Sequence, residues 1–372
     1  MEQTTSSENQ GITHSSIYLG DFIVESGQTL SHLEIAYEKT GNKNNPIILV
    51  CHALTGNQFS VGTTESPGWW SEFIGPGLFV DTDKFQVITM NVLGGCSGST
   101  GPTCINRETN QPYMGDFPNV TVRDMVKTQY LALQKLGIKH VHAIIGGSLG
   151  GMQVFEWGIM YPTFANMLIP IASTPYLSDY AMAYNTIAKQ AIINDPRWNG
   201  GHYNVDEPIK GLELARMIGM VTYRSDHLFN ARFKRQLKSK EEFQIESYLK
   251  YQGEKLAKRF DANSYLRLLT AMDYHDIGQG RNGWEQALQT IEAKVLLISY
   301  TGDLLYPSHA MKEVAEQLAY LGKEVSFFGI DTQFGHDGFL VEFNNWAYLV
   351  KNAIESGDVK EVGPCQPLML QY

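Results

Sequence analysis

No stretch of this chain is apolar for long enough to cross a bilayer, which excludes a membrane-spanning helix. The first ten residues are polar and hold no apolar signal segment, so 1–10 reads as a disordered tail and the protein as a soluble, cytoplasmic one. Cysteine is scarce: Cys51, Cys96, Cys104 and Cys365 show no paired metal-ligand spacing, and Cys51 lies inside an apolar run. That pattern leaves no metal site and fits reduced thiols. Asn119-Val-Thr121 has the form of a glycosylation acceptor, but without secretion it carries no meaning. Positive charge is in deficit, and a net charge of −10 argues against nucleic acid as a partner. Internal repeats and low-complexity segments are absent as well.

The 372 residues, 43% of them hydrophobic, suffice for one large core with an inserted second unit. Apolar runs bounded by turn residues recur at 47–51, 85–91, 141–145, 167–172, 295–300 and 325–330, with helical spacing between them, as at 122–136 and 311–321. The runs are continuous rather than alternating, which implies strands buried on both faces, hence a mostly parallel sheet flanked by helices. Residues 20–37 read as an antiparallel strand pair at its edge. The alternation stops near Ser173, and the chain is then helical and rich in Tyr, Met, Lys and Arg until about Thr290. An insertion there, after the sixth strand, is a lid over the carboxyl ends of the strands, where open α/β sheets keep their sites. The organisation is a core of 11–175 and 291–372 with a helical lid of 176–290.

Gly146-Gly-Ser148-Leu-Gly150 follows one apolar run and opens a helix-like stretch. In that strand–turn–helix context it is a nucleophile elbow, whose flanking glycines let the chain turn tightly enough to expose the serine hydroxyl. A serine needs a base to take its proton and an acid to orient the base, here in the chain order Ser, Asp or Glu, His. Of the ten histidines, only His309 and His336 follow the resumed sheet. His309 falls in the first turn of a helix, whereas His336 lies on a loop straight after a strand, where a catalytic histidine belongs. Asp303, between an apolar strand and an apolar turn, is the acid, ahead of Asp331, Asp273 and Asp276. The oxyanion donors expected are the backbone N–H groups of Leu149 and, on the loop after 47–51, Leu54. His52 on that loop is read as structural. Gly278-Gln-Gly280-Arg-Asn-Gly283 matches a dinucleotide fingerprint but follows a helix, not a strand, and is discounted as a loop.

Read together, these residues resemble the homoserine O-acetyltransferases, a transferase branch of the α/β-hydrolase fold. The resemblance runs through Cys51–Gly56, Asn91–Pro102, Phe117-Pro118, Thr121–Met125 and the elbow, then Tyr223–Asp226, Phe229-Asn230, Phe260–Tyr265, Ala271–Asp276 and Gly335–Asp337. It spans about residues 20–345, and the Asn91–Pro102 and Phe260–Asp276 blocks are more specific than the elbow. Leu149 stands where the family usually has Met. Thr332–Phe334 and Ser173–Tyr176 also depart from its pattern, the latter in a place that bears on which acyl chain fits. The resemblance implies a ping-pong reaction in methionine biosynthesis: acetyl-CoA, as co-substrate and with no bound cofactor, acylates Ser148, and the hydroxyl of L-homoserine takes the acetyl group. It further implies Arg216 for the amino-acid carboxylate and Asp337 for its ammonium, with Thr55 in the substrate site, and a homodimer joined through the lid.

Arg216 is conspicuous on its own account, a charge inside the apolar run 212–223 that needs an anionic partner, either a ligand or Glu213 one turn earlier. Tyr223, two helical turns on, shares its face. The segment 224–259 carries ten Lys/Arg against five Asp/Glu in an otherwise acidic chain. It reads as a solvated face or as a landing surface for the phosphates of coenzyme A, with Arg232, Lys234 and Arg235 expected at the tunnel mouth. The neighbouring alternatives are a homoserine succinyltransferase or a serine O-acyltransferase. A water-using esterase or thioesterase would share the triad without needing Arg216 or Asp337, and a binding protein on this fold would commonly lack a triad member.

Overall fold

The computed structural model describes residues 5–7 and 11–359. Nine strands form the main sheet: β1 (Thr5–Ser7), β2 (Ile12–Ile23), β3 (Thr29–Thr40), β4 (Ile47–Cys51), β5 (Gln86–Met90), β6 (Val141–Gly147), β7 (Ala165–Ile171), β8 (Lys294–Tyr300) and β9 (Val325–Ile330). Their spatial order is β1-β2-β3-β5-β4-β6-β7-β8-β9. From β5 to β9 every pairing is parallel, and β1, β2 and β3 join antiparallel at the edge. The segment 1–10 is thus not wholly a tail, because Thr5–Ser7 pairs with Ile12–His14; its other residues, like Cys365, lie outside the described residues. The edge pair expected at 20–37 extends to Ile12 and Thr40, with register shifts around Gly20. Half-exposed polar positions in β2 concealed that length.

The apolar runs are continuous because each strand feeds two cores. Along β4, Leu49 and Cys51 enter one and Ile48 and Val50 the other; β8 splits Val295 and Leu297 from Leu296 and Ile298 in the same way. The first core packs against α1 (Val122–Lys135), α2 (Leu149–Met160) and, further along the chain, the helix Ser308–Tyr320; the second packs against Trp70, Phe73 and the helix Phe343–Ser356.

The chain leaves the sheet after β7 and returns at β8, two strands that lie side by side. Between them run α3 (Asp179–Ile193), α4 (Lys210–Tyr223), α5 (Asp226–Phe233), α6 (Gln244–Ala257), α7 (Ala262–Asp273) and α8 (Trp284–Leu288). Ser178, Ser225 and Asp261 cap the first turns of α3, α5 and α7 through their side-chain oxygens. α4 packs against both α3 and α6. What fastens the lid to the core is a buried carboxylate. Glu156 of α2 accepts from Arg123 Nε at 3.2 Å and from Arg281 at 2.8 and 3.1 Å. Arg281 sits on the glycine-rich loop discounted above, and Arg123 also donates to the carbonyls of Asp276 and Gln279 on either side of Gly278. The loop fastens the lid to the core.

Candidate active site

Ser148 stands between β6 and α2 with φ 58° and ψ −124°, a left-handed conformation strained for any residue with a side chain. Its flanking glycines are steric necessities. A Cβ on Gly150 would come within 2.2 Å of the Cys51 carbonyl oxygen, and one on Gly146 within 2.5 Å of Gly150 itself. Gly147 and Gly151 are similarly closed off, by the Phe339 ring and by Ser173. The backbone N–H of Ser148 donates to Ile171 at 3.0 Å, pinning the turn to the end of β7.

Asp303 follows β8 and His336 follows β9, so three loops at the carboxyl ends of the sheet bring the serine, acid and histidine to one place. His336 Nδ1 lies 2.7 Å from Asp303 Oδ2. The other carboxylate oxygen of Asp303 accepts the N–H groups of Leu305 and Tyr306, both at 2.9 Å, which fixes its plane. Burial alone would lower the His336 pKa. The charge and hydrogen bond of Asp303 outweigh it, and the pKa stands above the ordinary histidine value. The rivals are placed elsewhere. Asp331 is exposed and accepts from Thr301, Asp273 binds Asn185 and Lys189 within the lid, Asp276 caps its own turn, and His309 is exposed.

Leu54 and Leu149 have buried side chains, and neither backbone N–H has an acceptor within the described residues. Both follow strands that flank each other, β4 and β6. His52 holds the first of these loops. Its Nδ1–H donates to the Ala53 carbonyl at 2.8 Å, leaving Nε2 to accept the Val92 N–H at 3.0 Å. Burial depresses its pKa to about 4, so it stays neutral and immobile, a strut and not a base.

Ser148, His336, Leu54, Thr55, Arg216, Tyr223 and Asp337 all line one cavity of about 230 Å³. Arg216 forms no ion pair among the described residues, and Glu213 is taken by Lys210 at 2.8 Å, which removes it as the partner of Arg216. The guanidinium instead lies over the Tyr223 ring at 5.4 Å, two turns along α4. Asp337 has a neighbour that sequence reasoning missed: Arg224 Nε donates to its Oδ2 at 3.1 Å. Burial raises the Asp337 pKa against the opposing pull of Arg224, Arg216 and His336. Also missed was Tyr306, which stacks on His336 at 5.2 Å with its hydroxyl beside Ser148. Its position directly after the Asp303 loop was the only available signal.

Arg232, Lys234 and Arg235, expected at the tunnel mouth, do not line the cavity that holds Ser148. Arg232 lies over the rings of Phe233 and Tyr248, and Arg235 over Phe243, so these cations serve the turn between α5 and α6.

Comparison with known proteins agrees with this geometry. Residues 46–343 match the family model for the alpha/beta hydrolase fold. The homoserine O-acetyltransferase of Symbiobacterium thermophilum is 44% identical over 338 residues, covering 86% of this chain and 88% of its own. The crystal structure of homoserine O-acetyltransferase from Bacillus anthracis superposes with a TM-score of 0.88 at 28% identity, covering 93% of this chain and 98% of that one. Esterase E22 superposes nearly as well, at 0.86 and 26% identity, covering 92% of this chain and 100% of its own. Backbone shape therefore does not separate transferase from hydrolase, whereas sequence does: the chain belongs to the homoserine O-acetyltransferase family of the α/β-hydrolase fold.

Proposed function

We propose that this enzyme moves an acetyl group from acetyl-CoA to the hydroxyl of L-homoserine through an acetyl-Ser148 intermediate, a step of methionine biosynthesis. The observation that carries the reading is the pair Arg216 and Asp337, opposite charges lining the same cavity as Ser148 and His336. An esterase has no use for such a pair. A free amino acid, with one carboxylate and one ammonium, does.

The chemistry follows from the positions. His336 takes the Ser148 proton as the Oγ attacks the thioester carbonyl, and the oxyanion accepts from the Leu54 and Leu149 N–H groups. Collapse breaks the C–S bond, and His336 returns the proton to the departing thiolate. Homoserine then binds with its carboxylate on Arg216, aided by Tyr223, and its ammonium on Asp337, beside Thr55. His336 takes the proton from its hydroxyl, which attacks the acetyl-serine; collapse releases O-acetylhomoserine and restores Ser148. Asp303 orients the imidazole and stabilises its charged form in both halves.

Two further parts of the proposal are a homodimer formed through the lid and a cytoplasmic location. Tyr180 and Ile187 on α3 and Leu214 and Val221 on α4 are exposed on helices that pack together, which supports the first. Cys51, Cys96 and Cys104 are free thiols, which supports the second.

Mass spectrometry tests the central claim. Incubation with acetyl-CoA should add an acetyl mass to Ser148, succinyl-CoA should add little, and L-homoserine should discharge the adduct faster than L-serine or water. Discharge by water at the same rate would make the protein a hydrolase.

A further inference from the structure

The cavity of about 230 Å³ has room for an acyl group and an amino acid, but drug-sized ligands occupy sites of roughly 300–1,000 Å³. The bulk of a coenzyme A donor therefore lies outside it. A second cleft, of about 620 Å³, meets the first at Thr55 and runs on past Asn57, Phe59 and Trp69 to Lys255 and Arg259. Arg259 stands at the junction, donating to the Thr55 carbonyl at 3.0 Å. Neither Lys255 nor Arg259 forms an ion pair among the described residues, although nearby Lys238 and Lys250 are both paired with Glu242. No Asp or Glu lines the cleft. The carboxylate beneath it, Glu38, is buried and consumed by the N–H groups of Val61 and Gly62, the Ser60 hydroxyl and His14. The aromatic wall is fixed: Trp69 donates to the Asn57 carbonyl at 3.0 Å, and Phe59 packs edge-on to His14.

Unpaired cations beside an immobile aromatic wall suit a molecule with phosphates at one end and a flat base. We propose that this cleft binds the phosphorylated nucleotide end of the acyl-CoA donor, with Lys255 and Arg259 against its phosphates and Trp69 beside its adenine, the pantetheine arm passing Thr55 to reach Ser148. The proposal rests on acyl-CoA being the donor, as argued above. It replaces the turn after α5 with the C-terminal end of α6 as the place where the donor docks.

The test compares acetyl-CoA with S-acetylpantetheine, a thioester that lacks the nucleotide, as donors to homoserine. Lys255→Glu should raise KM for acetyl-CoA about tenfold and leave kcat/KM for S-acetylpantetheine unchanged. Lys255→Arg should restore the wild-type KM, and adenosine 3′,5′-bisphosphate should compete with acetyl-CoA in the wild type but not with S-acetylpantetheine. An unchanged KM for acetyl-CoA in Lys255→Glu, or equal losses on both donors, would overturn the proposal. Failure of acetyl-CoA to acylate wild-type Ser148 would instead overturn the transferase reading, so the two failures are distinguishable.

Discussion

His52 and His336 are both buried, yet their surroundings drive them in opposite directions. His52 faces no charged group, only the Ala53 and Val92 backbone and the Asn91 amide, and burial leaves it neutral well below neutrality; His336 faces Asp303, which raises its pKa despite burial. A base acts in its neutral form, so activity should fall on the acid side at a pH above the ordinary histidine midpoint of about 6.5. In Asp303→Asn the raising influence is gone. The acid limb of the kcat/KM profile should then move to lower pH while the rate drops by up to about 10⁴-fold through a mis-set tautomer. A limb that stays in place would assign it to another group. Arg216→Lys should raise KM for homoserine about tenfold or more, since lysine cannot present a two-pronged fork to a carboxylate, with acylation by acetyl-CoA nearly unchanged. Parallel losses in both half-reactions, measured by pre-steady-state acylation, would make Arg216 structural. Ser148, Asp303 and His336 were readable from sequence because each is announced by its own strand end. Arg224 was not, because its partner Asp337 lies 113 residues away and no local pattern reports so distant a pairing.

At the scale of elements, continuous apolar runs located the parallel strands within a few residues, since β4, β5 and β8 are buried almost throughout and β9, though only partly buried at the sheet edge, keeps its apolar run. β7 was the least well bounded: its start lay hidden before Met167, where an exposed Asn166 interrupts the run. Helices of the lid were legible as a helical region but not as six units, because their amphipathic faces turn towards one another rather than to a common sheet. The clamp that secures them could not be read at all, as Arg123, Glu156 and Arg281 come from three separate segments. Glu156 is fully buried between the two arginines. Glu156→Gln should therefore cost about 3–5 kcal/mol, because it strands two partly buried cations. Denaturant unfolding measures the loss, and hydrogen exchange should show it first around Gly278–Gly283. A loss under about 1 kcal/mol would mean that solvent already screens the clamp.

For the whole molecule, the exposed apolar residues of α3 and α4 form stripes, Tyr180 with Ile187 and Leu214 with Val221, each pair seven residues apart on one helical face. Light scattering at micromolar concentration should give twice the chain mass, and Ile187→Glu combined with Val221→Glu should return it to a monomer. A wild-type monomer would leave those stripes without an explanation in assembly. The order of elements along the chain has one more effect, on the protein while it is being made. Domains generally fold as units during synthesis, and here the core is split along the chain: Ser148 and the Leu54 and Leu149 N–H groups are synthesised before the lid, Asp303 and His336 after it. The core can therefore close only once the lid has been made and the last two strands have joined, β8 beside β7 and β9 beside β8, so that the serine and its proton acceptor are brought together by the final segment of the chain.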